Sequence, residues 1–561
     1  MATTFSLFQQ RQLTALLRRY PDLATTLGAR DMEGGLPSGS PDAIRERVAF
    51  YQDWVAANRR WSDAELTAEE RFDRDLFASQ FEMFRFVQLD LARWRLNPDA
   101  FEGLGSILFC MLLGSYPSEE QRFNNIRGVL EDIPRYLGEF RQRIEHPEPE
   151  WQRLALQVAA GMPTLFNSIV DACDARLGGT LAAEVRQLAE TATRAAQEQR
   201  TWLESLVPGT PGAWHLSEEN FSRLLQLKGI PLTTQELLHV GVHMLATTHR
   251  RRKELASLIL PGETPHAVNT WLNTQAPATF QEGLDSVRRA VKDARQFIKD
   301  RRLSSLFEGE ELVVVETPAF FAPLVPFAAI LPAARMDTPQ RGIYMVTPGA
   351  DGDLSDLAEG RLAGVAVHEG YPGHHLQLAT ANARTNALRT GVFGGLFEDG
   401  VSAWGVDLVE GWAHYCEDMM PEQGFRNTPV TRFVQANDQL WRACRIVVDV
   451  ELSRGKMSPE EAVHLLVRET DMPEPAARAE VDRYTTSPTY QLCYLTGKLL
   501  LLALREEARE VMGDKFSLGA FHDFVMGAGN MPVTAARRLL YLKHGREVPE
   551  HPLLDIHALA A

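Results

Sequence analysis

The sequence predicts a mainly α-helical protein with a small β element just past its middle. Two observations carry that expectation. Apolar residues recur at spacings of three and four over Leu13 to Arg19, Asp42 to Ala57, Ala68 to Trp94 and Leu181 to Leu206, the period of one helix face. Only two short β-branched runs break the habit, Glu311 to Glu316 and Arg341 to Val346, each closed by a Thr-Pro pair.

Helix starts are marked locally. Ser217 to Asn220 before Phe221, and Thr233 to Glu236 before Leu237, resemble capping sequences. Pro208 to Gly212 is a loop. The two β-branched runs read as a small hairpin over 311–346. The change of character near residue 310 divides the chain into an N-terminal helical lobe, 1–310, and a catalytic helical lobe, 311–561, with a soft boundary that one continuous core could cross.

With 561 residues, 45% of them hydrophobic and 24% charged, the chain has the composition of a globular enzyme able to bury a catalytic cleft. Its formal charge of −16 argues against binding nucleic acid or anionic membrane. Five scattered cysteines, Cys110, Cys173, Cys416, Cys444 and Cys493, form no CxxC pair and no disulfide framework. They read as buried small apolar side chains. No basic start followed by an apolar stretch opens the chain, and no segment approaches a membrane span. The expected setting is cytoplasmic. A monomer or a homodimer is compatible with the pattern.

The chemistry concentrates in His368-Glu369-Gly370-Tyr371-Pro372-Gly373-His374-His375, at the end of the apolar stretch Leu362 to Val367. A buried His-Glu pair is costly without partners, and a cation supplies one. In the HExxH pattern two histidines four apart share a helix face and the glutamate serves as base. Here the second histidine comes six or seven positions on. Six apart lies about 120° off the same face, and seven apart stands about 10.5 Å along the axis. Pro372 breaks the helical ladder and Gly373 permits an unusual backbone. A two-residue bulge there brings His374 to the ligand position, which favours His374 over His375. His375 then either supports the ligands from behind or faces substrate.

Zinc in hydrolytic sites takes three protein ligands. The stretch Val406 to Glu417 reads as a helix on which Glu410, His414 and Glu417 share a face. Glu410 is the expected third ligand, with His414 and Glu417 in reserve. Iron, manganese or cobalt would suit the same donors. His239 and His243 have the i, i+4 spacing but no adjacent glutamate, and read as ordinary packing.

With these residues in hand, the chain resembles the bacterial family called domain of unknown function 885, whose hallmark HExxPGHHxQ reads here His368, Glu369, Pro372, Gly373, His374, His375 and Gln377. Less specific landmarks run nearly end to end: Ala24 to Gly28, Leu96 to Pro98, Glu410-Gly-Trp-Ala413 with Tyr415 and Glu417, Tyr494 to Gly497, Asp514 to Phe516 and Gly529 to Pro532. The family looks distantly similar to thimet oligopeptidase, angiotensin-converting enzyme and the thermophilic carboxypeptidases. That resemblance implies two helical lobes around a deep cleft, bound Zn2+, and hydrolysis of short peptides.

It also implies roles. His368, His374 and Glu410 would hold the metal, and Glu369 would be the base. Tyr494 would stabilise the oxyanion, with a packed core tyrosine the equal alternative. Arg505 and His522 are candidates for a substrate carboxylate, although a structural hydrogen-bonding role is the plainer reading of each. Two other functions fit the same residues, a metal-dependent amide hydrolase on a modified natural product and a peptide-binding protein without turnover. The intact Glu369 argues against the second.

Overall fold

The computed structural model describes residues 3–317, 328–349, 352–390, 401 and 403–556. Helices dominate, as expected, with one small sheet. The periodic stretches become the helices Thr4–Arg19, Pro41–Asn58, Ala68–Arg85 and Gly179–Ser205. The cap signals also hold. Ser217 accepts the Asn220 N–H, and Thr233 with Glu236 forms a reciprocal capping box.

Two compact units are present. The first takes the described residues of 1–214, 333–338 and 391–402, and the second takes those of 215–332, 339–390 and 403–561. The division falls just after the loop at Pro208 to Gly212, not near residue 310 where the sequence changes character. No helix among the described residues is long and apolar enough to cross a membrane.

The β element differs from the expected hairpin. Strands β1 (Glu310–Glu316) and β3 (Gln340–Val346) run parallel, from Glu310 opposite Gln340 to Glu316 opposite Val346. Strand β2 (Ala328–Leu331) pairs antiparallel with β3 on its other side, giving the order β1-β3-β2. A parallel pair needs a crossover rather than a tight turn, so neighbouring β-branched runs do not by themselves make a hairpin. The amphipathic helix Phe280–Asp300 lies nearby. Its Arg288 guanidinium donates to the Val314 carbonyl of β1 at 3.1 and 3.3 Å.

Two helices of the second unit approach with almost no side chain between them. A Cβ on Gly497, in the helix Cys493–Met512, would stand 1.8 Å from the Asp407 carbonyl oxygen. One on Gly411, in the helix Val406–Glu422, would stand 2.5 Å from the Gly497 carbonyl carbon. Glycine at both positions lets the backbones touch, which sets Glu410 beside the start of the later helix. Alongside, the helix Thr234–Ile259 packs on Pro429–Ser453.

Asp407 secures the start of this arrangement. Its buried carboxyl accepts the Val533 N–H at 2.9 Å. Burial pushes it up to about 7, against the opposing pull of that N–H. The folded carboxyl therefore keeps its proton up to about pH 7, whereas the unfolded one releases it near ~3.9. Its contribution to stability is complete below the lower value and is lost as pH rises through the higher. Asp407→Asn removes this dependence. Its thermal midpoint, relative to wild type, rises by a few degrees between about pH 5 and pH 8. A difference that stays flat with pH contradicts the assignment.

Candidate metal centre

The motif is built from a distorted helix. The helix Glu359–Val365 passes into a π-helical turn, Ala366–Gly370, that carries His368 and Glu369. Widened turns of this kind are frequent at functional sites. The Tyr371 N–H reaches Ala366 O at 3.3 Å and the Gly373 N–H reaches Val367 O at 3.0 Å, before the helix His374–Arg384 begins. A Cβ on Gly373 would lie 2.0 Å from His368 O, so only glycine fits where the chain folds back. Trp412, fully buried, donates to Pro372 O at 2.8 Å and ties the turn to the helix Val406–Glu422.

This geometry brings His368, His374 and Glu410 together. One ligand atom from each lies within 4.8 Å of the others, and all three residues are buried. Glu410 Oε2 stands 3.2 Å from His374 Nε2 and 3.8 Å from His368 Nε2, and makes no hydrogen bond. The imidazole rings meet edge-on at 4.7 Å. Among the described residues this is the one group of three His, Cys, Asp or Glu side chains placed so closely. Burial raises the Glu410 carboxyl, but His374 and His368 outweigh it and hold the carboxyl well below the usual range.

Glu417 does not join the triangle. It stands behind it, accepting from His368 Nδ1 at 2.6 Å through Oε1 and from His414 Nδ1 at 2.9 Å through Oε2. Arg442 Nη2 lies 3.7 Å from Oε1, and Gln435 donates to the Glu417 backbone carbonyl. With its Nδ1 proton committed to a carboxylate, His368 presents Nε2 as a lone pair toward Glu410 and His374. His414, the other reserve ligand, is fully buried. Burial and the charge of Lys498 push its imidazole down to about 4, so it stays neutral.

The donor set passes the chemical test for a divalent metal. Two imidazole nitrogens and one carboxylate oxygen converge, and that oxygen is buried with no hydrogen bond. Two nitrogens plus one oxygen is a donor set of hydrolytic zinc sites.

Glu369 is partly exposed beside the triangle. Burial raises its carboxyl, with His368 and His374 pulling the other way, and the Ile330 N–H of β2 bonds to it. Tyr494 lies across the site, its ring parallel to that of His368 at 6.5 Å and under the Arg445 guanidinium at 4.5 Å. Burial and Glu410 push its phenol well above the usual range, so it keeps its proton. Tyr490, which the sequence did not single out, donates to Glu410 Oε1 at 2.8 Å.

Three expected substrate contacts are placed elsewhere. His375 is only 2% exposed, its Nε2 is 3.1 Å from Glu310 Oε2, and its Nδ1 is pressed against Gly342 of β3. Glu310 also accepts from Tyr371 at 2.6 Å and from Arg295 at 2.6 and 2.9 Å. His375 thus belongs to a clamp between the motif and the sheet. His522, fully buried, donates from Nδ1 to Leu303 O at 2.6 Å and accepts the Tyr415 hydroxyl at 2.9 Å. Arg505 reaches the same hydroxyl at 3.4 Å and Glu506 at 3.3 Å. These hydrogen bonds fit the structural role that is the plainer reading of each. His239 and His243 stack at 6.4 Å on one helix, outside any such group.

His375→Ala should therefore lower stability by about 2–4 kcal/mol through a lost buried contact and hydrogen bond, and leave metal uptake at the wild-type level. Thermal melting and metal analysis on one preparation check this. Loss of metal with an unchanged melt would contradict the placement.

No curated protein matches the chain. Among solved structures, a "putative lipoprotein of unknown function" from Shewanella oneidensis superposes with a TM-score of 0.74 at 21% identity, covering 96% of this chain and 100% of its own. One described as a "putative lipoprotein" from Colwellia psychrerythraea gives a TM-score of 0.78 at 18% identity, covering 97% and 100%. These show the same fold. They also correct the expected cytoplasmic setting, which is withdrawn because both neighbours carry a lipoprotein description. An M32 carboxypeptidase from Deinococcus radiodurans reaches a TM-score of only 0.33 at 13% identity, covering 98% of this chain and 97% of its own, too little to support an argument. The model of the family described as bacterial protein of unknown function (DUF885) matches residues 21–540, and the chain belongs to that family.

Proposed function

We propose that this chain is a metal-dependent amide hydrolase acting on peptides, with zinc held by His368 Nε2, His374 Nε2 and Glu410 Oε2. The observation that supports this most is the convergence of three buried donors within 4.8 Å, with the carboxylate of Glu417 holding the outer nitrogen of His368. When bound, zinc supplies Lewis-acid polarisation of a carbonyl and acidification of water.

Glu369 is the base. It follows His368 in the same π-helical turn and remains partly open. Its carboxylate takes the proton of the attacking water and returns it to the departing amine nitrogen, as the new C–O bond forms and the C–N bond breaks. The Ile330 N–H holds that carboxylate beside the sheet. Tyr494 supplies the oxyanion donor. Its hydroxyl has no partner among the described residues, and its raised pKa keeps the proton available at neutral pH.

The test is Glu369→Gln assayed against a mixed peptide library. Gln keeps the shape and loses the base. Cleavage should fall by about 10²–10⁴-fold with zinc content unchanged. A variant that still cleaves at the wild-type rate would remove Glu369 from the chemistry.

A further inference from the structure

Glu410 is held from behind by a residue in none of the motifs. Tyr490 lies just before the helix Cys493–Met512, and its hydroxyl donates to Glu410 Oε1 at 2.8 Å. That bond occupies one carboxylate oxygen and leaves Oε2 facing His374 Nε2 at 3.2 Å and His368 Nε2 at 3.8 Å. An unrestrained glutamate can turn either oxygen, or both, toward a cation.

The backbone that delivers Tyr490 is unusual. Thr489, immediately before it, has φ +67°, a left-handed conformation that β-branched residues rarely adopt. The residue is wholly buried. Asp449, on the helix Pro429–Ser453 and 1% exposed, directs its carboxylate at this turn. Its Oδ1 accepts the Thr489 N–H at 2.8 Å and the Ser453 hydroxyl at 3.1 Å, and its Oδ2 accepts the Leu492 N–H at 3.0 Å. A buried carboxylate bonded to backbone N–H groups on both sides of Tyr490 over-determines the turn. Backbone outliers persist under such conditions and cluster at functional sites.

We infer that Tyr490 is the positioning residue for Glu410, presenting Oε2 alone to the metal, and that the Asp449-braced turn at Thr489 holds the hydroxyl in place. This rests on the reading of His368, His374 and Glu410 as the ligand set.

Three forms of the full chain test it: wild type, Tyr490→Phe and Glu410→Ala. Zinc affinity is read by competition with a chromophoric chelator, ligand geometry by the visible spectrum of the cobalt-substituted protein, and folding by the melt of the metal-free protein. Tyr490→Phe should bind zinc about 10–100-fold more weakly, with an altered cobalt spectrum, while the metal-free protein still melts cooperatively with only the modest drop of one lost buried hydrogen bond. Zinc affinity within about twofold of wild type, while Glu410→Ala loses zinc, overturns the role of Tyr490 and leaves the ligand set standing. Weaker binding with an equally lowered melt and a wild-type spectrum also overturns it. Retention of zinc by Glu410→Ala removes the ligand set, and this inference with it.

Discussion

The hydrogen bond between His368 Nδ1 and Glu417 Oε1 is the interaction on which the rest of the centre depends. It unites two helices distant in sequence, sets the tautomer of His368, and faces the Nε2 lone pair toward Glu410 and His374. Burying these groups is expensive, and each unpaired charge would cost several kcal/mol. The cost is spread over a ladder of partners. Glu417 takes His368, His414 and Arg442, while Tyr490 takes one oxygen of Glu410. Oε2 of Glu410 is left without a hydrogen bond, at the point where a cation would complete the set.

The surrounding scaffold explains how these groups come so close. Gly411 and Gly497 allow two helices into backbone contact, so a glutamate on one and tyrosines at the start of the other reach a common point. The π-helical turn and Gly373 do the same for the two histidines. The small sheet stiffens the motif from another side. Glu310 at the start of β1 binds Tyr371, His375 and Arg295 together, so a three-strand element in a helical protein serves as a backing plate.

Much of this was legible from local signals. Helix periodicity and capping depend on neighbours within a turn, so Thr233 with Glu236 and the helices around them read correctly. Pro372-Gly373 showed that the motif helix is distorted, but not where. The extra residues are shared between the widened turn Ala366–Gly370, which nothing in the side chains announces, and the non-helical Tyr371-Pro372-Gly373 that follows it. The face shared by Glu410 and Glu417 was visible. Which of them points into the site and which behind it depends on a second helix. The order of the strands, the burial of His375 against Gly342, and the approach of Tyr490 from a left-handed turn are likewise long-range facts. No spacing rule carries them.

Metal content of the purified protein, taken with zinc-edge X-ray absorption on wild type and His374→Ala, decides whether His368, His374 and Glu410 hold a metal. About one zinc per chain is expected, bound by two imidazoles and oxygen with no sulfur, and lost when His374 is removed. A wild-type protein that takes up no metal, or one whose metal survives the loss of His374, would contradict that ligand set.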